Sequence, residues 1–402
     1  MTNANDARRI VLQSLSPVLS ESCPLRSSLG RILAQDIIAP HPVPQFDNSG
    51  MDGFALRTAD LSQNARNILT LQGEVTAGRL FEGSLLSGHA IRITTGSPIP
   101  DEADAVVEQE MIRLANGSIE FTGPVQKGRN IRRRGEDIQT GAVVLAKGSR
   151  LDPAGLGVLA SLGIHTVLVH RKIRVAILTT GNEVVDFKDT PGPGQIRNSN
   201  AVALEGMLME DGHDVRMLDI AKDDPEDLRR KVSGGLQSDA LVTSGGISVG
   251  SHDHMPGVLE SLNIEMKFWK VNIKPGMPMA FGIGQVSDRT VPVFALPGNP
   301  VSTLVTYLQF VRPGLNRMSG MQNPDAFQSF PAVLEENIPK IDSKRHFVRG
   351  IFRNENGRVV VRSTGTQSSG VLTSLMHANC LIVVPEDVRN PSAGDIVEIQ
   401  LL

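Results

Sequence analysis

Apolar positions recur at helical spacing near the amino end, at Val11, Leu15, Val18 and Leu19, and predict a helix within residues 4 to 20 that Pro17 ends or kinks. Leu29, Ile32, Leu33 and Ile37 keep a similar spacing and predict a second helix over Leu29 to Ile38; the prolines at 40, 42 and 44 stop it and read as a linker. From here to about Val125 the period changes. Short β-rich runs, such as Ala90 to Thr94 and Ala105 to Met111, alternate with Gly and Pro as in a small inserted β-domain. Asp152 followed by Pro153 is a cap with a first-turn proline and predicts a helix through Leu162.

Strand and helix then alternate. Ile173 to Gly181 reads as a buried strand, Asn200 to Gly212 as a helix, Val215 to Ile220 as a strand, Asp224-Pro225 as a helix start and Ala240 to Thr243 as a strand. Val293 to Leu296 adds a strand, and a long helix follows from Pro300 to Met318. This alternation predicts a doubly wound α/β domain with a parallel sheet. After Asn323 the helical pattern stops. Ala332 to Leu334, His346 to Phe352, Arg358 to Arg362, Cys380 to Val384 and Ile396 to Leu401 suggest a β-domain. The expected fold class is α/β multidomain: a helical or mixed N-terminal domain (1–45 and 131–172), an inserted β-rich domain (46–130), the α/β domain (173–322) and a C-terminal β-domain (323–402).

Composition narrows the function. A net charge of −3 with 21% charged residues gives no field for nucleic acid, and 4% aromatic residues leave little to stack bases on. Cys23 and Cys380 form no CxxC, so neither a disulfide framework nor a cysteine zinc site is indicated, and a reducing cytoplasm fits. No apolar run has signal-peptide or membrane-helix character.

Candidate chemistry gathers at the ends of the predicted parallel strands. In Leu241 to His254, LVTSGGISVGSHDH, the strand runs into Ser244, Gly245, Gly246 and Ser248, a loop whose backbone N–H groups can approach an anion. Asp253 stands near the next helix start, where it could cap or hold a cation. The sequence LPGNP places Pro297, Gly298, Asn299 and Pro300 at the head of the long helix, with unpaired N–H groups expected to face the same crevice. Glu183, Asp223 and Asp224 share that edge. Lys274, beside a Pro-Gly turn, could reach a phosphate. Asn130 to Asp137, NIRRRGED, reads either as a solvated ion-pair cluster or as an oxyanion fork aimed by Asp137. FDNSGMDGFAL reads as a tight surface turn.

Taken in order, FDNSGMDGFA, TTGSPIP, NIRRRGEDI, TTGNEV, GQIRNSN, DDP, TSGGISVG with Asp253, KPG and ALPGNPVS resemble the molybdopterin molybdenumtransferase family, the bacterial MoeA group and the gephyrin E domain. The resemblance implies an enzyme of molybdenum cofactor biosynthesis that takes adenylylated molybdopterin and molybdate and releases AMP with Mg²⁺ assistance. It implies a homodimer whose cleft lies between the α/β domain of one chain and the β-rich insertion of the other, fed by a molybdopterin adenylyltransferase. Carried over by position, Asp52, Thr95, Arg132, Asp137, Glu183, Asp224, Asp253, Lys270, Lys274, Pro297 and Pro300 match residues used in or around that cleft. Of these, Glu183, Asp224 and Asp253 are the candidate metal ligands, and Arg349 and Ser369 match positions linked to molybdate. The chain departs from the common bacterial pattern at Asn182, Asn198 and Met277. Two other readings are an adenylyltransferase, which the extra β-domains argue against, and a non-catalytic scaffold, for which no partner-facing segment is evident.

Overall fold

The structure is a computed structural model and describes residues 1–62, 65–247 and 254–402. Its central sheet has six strands in the order Asp214–Met217, Arg174–Thr179, Ala240–Ser244, Arg289–Leu296, Ala280–Val286, Glu265–Trp269. The first four run parallel. The last two join through antiparallel pairings, so the parallel sheet expected from the alternating strand and helix pattern carries a mixed edge. A residue-by-residue alternation explains how such apolar strands are buried on both faces. Val175 and Ile177 enter one core with Val242 and Phe294, whereas Ala176 and Leu178 enter the other with Leu241 and Val293.

Helices cover both faces, and their ends follow from local sequence. Asp152 accepts the N–H of Gly155 at 2.7 Å to cap Pro153–Ser161, as its Asp-Pro signature predicts. The helical run after LPGNP is Pro300–Thr306, a wider π-type turn over Tyr307–Val311, then Arg312–Met318.

Near the amino end one expected helix forms and one does not. The first helix is Ala4–Gln13, and its buried face, Ala4, Ala7 and Val11, packs with Phe294 and Leu315 in the α/β core. Leu29–Ile38 is not a helix: Ile32 bridges Arg150, Leu33 bridges Val169, and Ile37–Ile38 pairs with Val143–Leu145. Leu33 and Ile37 serve the core formed with Cys23, Leu151, Leu159 and Val167, so cross-strand pairing overrides the helical spacing.

The segment after the proline run forms a second six-stranded sheet, ordered Ala105–Glu108, Gly53–Leu56, His89–Ile93, Arg66–Val75, Ser118–Thr122, Arg113–Ala115. The C-terminal strands Arg345–Glu355, Arg358–Ser363, Ser329–Leu334, Ile396–Leu401 and Cys380–Val384 pair in that order, and the last pairs back to the first, closing a small barrel. Ile273–Lys274 adds a short parallel strand to it, tying the KPG segment to the C-terminal domain. Among the described residues no helix is long and apolar enough to cross a membrane.

Candidate active site

The parallel strands end at one rim in matching register: Thr179 lies opposite Ser244, and Ser244 opposite Leu296. The three loops that follow, from Thr180, Gly245 and Pro297, therefore start side by side, which is where open α/β sheets bind ligands. Between them lies a cleft of about 590 Å³ lined by Thr180, Glu183, Asp223, Gly245, Gly246 and Gly298, with Ser244, Pro297, Asn299 and Pro300 also on its wall.

Gly245 and Gly246 have φ of 92° and 69°, and a Cβ on them would sit 2.8 Å from the Thr180 carbonyl oxygen and 2.7 Å from Thr180 Oγ1. Conformation and space both demand glycine here. Thr180 Oγ1 is itself buried and has no partner among the described residues, so a polar atom stands directly beneath the loop. A Cβ on Gly298 would lie 3.6 Å from Gly245 Cα, an ordinary contact, so the two loops run side by side and space alone does not demand glycine at 298.

Acidic groups rim the cleft. Glu183 lines it, and so does Asp223. Asn182 and Asp223 hold each other: the Asn182 N–H donates to Asp223 Oδ2 at 3.1 Å, and the Asp223 N–H donates to Asn182 Oδ1 at 3.2 Å. Asp224 does not line the cleft. Its Oδ1 accepts the Asp227 N–H at 2.8 Å and caps Pro225–Gly235, because a residue just before a helix-opening proline turns to that helix's own free donors. Asp253 and Ser248 lie outside the described residues.

The expected row of free N–H groups at the LPGNP turn is shorter than its sequence suggests. Pro300 has none, and the Val301 N–H donates to the Ser369 carbonyl at 3.1 Å. That bond docks the loop before Thr373–Met376 onto the head of the long helix. The same loop holds Arg349, which is 1% exposed: Nε donates to Ser374 Oγ at 3.1 Å, and Nη2 donates to the carbonyls of Ser368 at 3.1 Å and Thr366 at 3.4 Å. None of these partners is a carboxylate, and burial lowers the guanidinium pKa to about 10. Lys274, exposed at its short strand, and Lys270, at φ 65°, do not line the cleft, although Pro278 of the same segment does.

The remaining candidates also lie outside it. Asp52 accepts both the Thr95 N–H at 2.7 Å and its hydroxyl at 2.9 Å, and the backbone bond foremost holds the carboxyl below its ordinary value. Arg132 pairs through backbone with Asn48 and is exposed, as is Asp137. Asp137 does not aim the arginines: Asp47 accepts from Arg133 Nη1 at 2.6 Å and from the Arg134 N–H at 2.8 Å, while Glu136 accepts the Arg133 N–H at 2.8 Å. FDNSG is likewise no plain surface turn, since Asn48 and Ser49 are buried strand residues.

A doubly wound domain with two glycine loops and an acidic rim at its strand ends, flanked by an inserted β-domain and a C-terminal barrel, is the architecture of a multidomain α/β enzyme class. Residues 2–163 match the MoeA N-terminal region (domain I and II), 176–317 a probable molybdopterin binding domain and 331–402 the MoeA C-terminal region (domain IV). The chain is 38% identical to a molybdopterin molybdenumtransferase of Haemophilus influenzae, over 100% of this chain and 98% of that protein. It is 34% identical to one of Bacillus subtilis, over 94% and 89%. A solved molybdopterin biosynthesis moeA protein of Pyrococcus horikoshii superposes with a TM-score of 0.84 at 30% identity, covering all of both chains. The chain belongs to the molybdopterin molybdenumtransferase family, enzymes of molybdenum cofactor biosynthesis.

Proposed function

We propose that this protein inserts molybdenum into molybdopterin by taking adenylylated molybdopterin and molybdate and releasing AMP, with the strand-end cleft as its active site. The observation that carries the reading is the register of three strand ends, which brings Thr180, Gly245 and Pro297 to one rim. The Gly245 N–H is taken by the Leu296 carbonyl at 3.1 Å, so the Gly246 N–H is the loop donor that suits a phosphoryl oxygen of the adenylate, and the unpartnered Thr180 hydroxyl lies under it. Family membership supplies the substrate class.

Magnesium fits this rim, because it keeps most of its waters and takes only one or two protein carboxylates besides phosphate oxygens. Glu183 and Asp223 would hold it. Among the described residues no group of three His, Cys, Asp or Glu could cage a metal alone. When bound, magnesium would neutralise charge on the phosphoanhydride. No side-chain nucleophile is required.

Molybdate is a tetrahedral dianion, and Arg349 is a buried cation without a carboxylate partner, on a loop bonded to the head of the long helix. Arg349 and Ser369 are the molybdate donors in this reading, with Lys274, on the short strand that pairs with Arg345–Glu355, as the third. Asp52, Thr95, Arg132 and Asp137 stand outside their own chain's cleft and act in a homodimer, where the inserted domain of one subunit completes the cleft of the other. A molybdopterin adenylyltransferase supplies the substrate, and both work in the cytoplasm. The test is direct: purified protein with adenylylated molybdopterin, molybdate and Mg²⁺ should release AMP and reconstitute a molybdenum-free reductase. Release of AMP without reconstitution would reduce the activity to hydrolysis.

A further inference from the structure

Asn200, at the start of the helix Ser199–Glu210, lines the cleft, and its side-chain nitrogen faces three oxygens. Nδ2 lies 2.8 Å from Ser244 Oγ, 2.8 Å from the Gly298 carbonyl oxygen and 3.2 Å from Thr303 Oγ1. These belong to the end of one central strand, to the LPGNP turn and to the long helix. The Gly298 carbonyl can only accept, so the nitrogen and not the oxygen must point to it. Thr303 fits the same orientation: its hydroxyl donates to the Pro297 carbonyl at 2.6 Å, leaving a lone pair for Asn200. The network thus fixes the amide flip that an isolated asparagine leaves open. Oδ1 is turned away from all three oxygens, and no donor reaches it among the described residues.

We propose that Asn200 is a positioning and specificity-determining residue. It clamps the glycine loop to the LPGNP turn so that both grip one anionic group, and it offers Oδ1 as an uncharged acceptor to a hydroxyl or N–H of the ligand beside that group. This deepens the proposed function and rests on its reading of the cleft. Neutrality is essential to the role. A carboxylate at 200 would oppose the Gly298 carbonyl and repel the phosphoryl group, whereas its protonated form is neutral and can donate to that carbonyl.

The probes are AMP and adenosine, titrated by calorimetry into the full-length protein with Mg²⁺ at pH 8 and pH 5. Wild type binds AMP more tightly than adenosine at both. Asn200→Asp should weaken AMP by about 10- to 100-fold at pH 8, the range expected when a paired acceptor loses its donor. It should recover several-fold at pH 5 as the carboxylate takes up a proton, and its adenosine affinity should change much less. Asn200→Ala should weaken AMP at both pH values without recovery. Chemical denaturation of each variant separates misfolding from loss of the clamp, and a residue of merely structural importance would not give the pH-dependent rescue. AMP affinity in both variants within twofold of wild type, or an Asn200→Asp loss equal for AMP and adenosine and unmoved by pH, overturns the proposal while leaving the cleft reading intact. Failure of wild type to bind AMP would bring down that reading and this proposal with it.

Discussion

The glycine-loop cleft and the arginine segment at 130–137 both look like anion sites in sequence, and the fold treats them differently. At Gly245 the loop leaves a strand paired on both sides, so its position is set by the register Thr179, Ser244, Leu296. At Arg132 to Arg134 the side chains are exposed; a two-residue backbone pairing with Asn48 and Ser49 holds the segment, and its charged contacts go to Asp47 and Glu136. A loop inherits the precision of the strands beneath it. An exposed charge cluster has only its neighbours, and it becomes a site only when another surface meets it.

That contrast is broken most severely at Gly245. Gly245→Val places a β-branched side chain at φ 92° and a Cβ 2.8 Å from a carbonyl oxygen, so we expect about 2–4 kcal/mol of lost stability and no measurable cofactor synthesis. Urea unfolding together with AMP release checks both; a stable, active variant would mean the loop does not need its shape. Arg349→Met should cut molybdate-dependent reconstitution by about 100-fold or more. Its stability should move by no more than about 2 kcal/mol, since relief of a desolvated charge offsets the unpaired carbonyls of Thr366 and Ser368. Thermal melting with and without molybdate is the measurement, and a molybdate-induced rise that survives the substitution removes Arg349 from the site.

The rim carboxylates sharpen the comparison within the cleft. Glu183→Gln should slow AMP release about 10- to 100-fold, while Asp224→Asn should stay within about threefold, because asparagine caps a helix as well as aspartate does. Steady-state AMP release at saturating Mg²⁺ tests the pair, and an equal loss in both variants would return Asp224 to the metal site.

Much of this was legible in the sequence because strand and cap signals are local. Asp152-Pro153 and Asp224-Pro225 mark their helices with their own side chains. The strand ends with Gly245 and Pro297 could be placed on one rim by alternation alone. Leu29–Ile38 misleads because four apolar residues at helical spacing also suit short strand pairings, and Arg150, Val169 and the Val143–Leu145 strand decide between them. Asn200 was hidden for a related reason: its partners, Ser244, Gly298 and Thr303, are 44 to 103 positions away, and one asparagine in GQIRNSN carries no mark of a clamp. Asp47 and Glu136 were passed over for Asp137, since nearness in sequence does not tell which carboxylate faces an arginine.

The smallest effects belong to the exposed side of the comparison. Arg133→Ala removes an ion pair to Asp47 whose side chains are 52% and 37% exposed, and it should cost less than about 1 kcal/mol. Asp52→Asn tests the Thr95 contact through pH. The Asp52 carboxyl titrates below its ordinary 3.8 in the folded protein, foremost because the Thr95 N–H donates to it, so its stabilisation is complete above that value and disappears as pH falls through the folded pKa. The denaturation midpoints of wild type and Asp52→Asn should therefore differ by a small constant amount from pH 5 upward and converge in acid below pH 3.8. If the difference instead persists unchanged at the lowest pH where both still fold, the contact is steric rather than charge-assisted, and the tip of the inserted domain is held by shape alone.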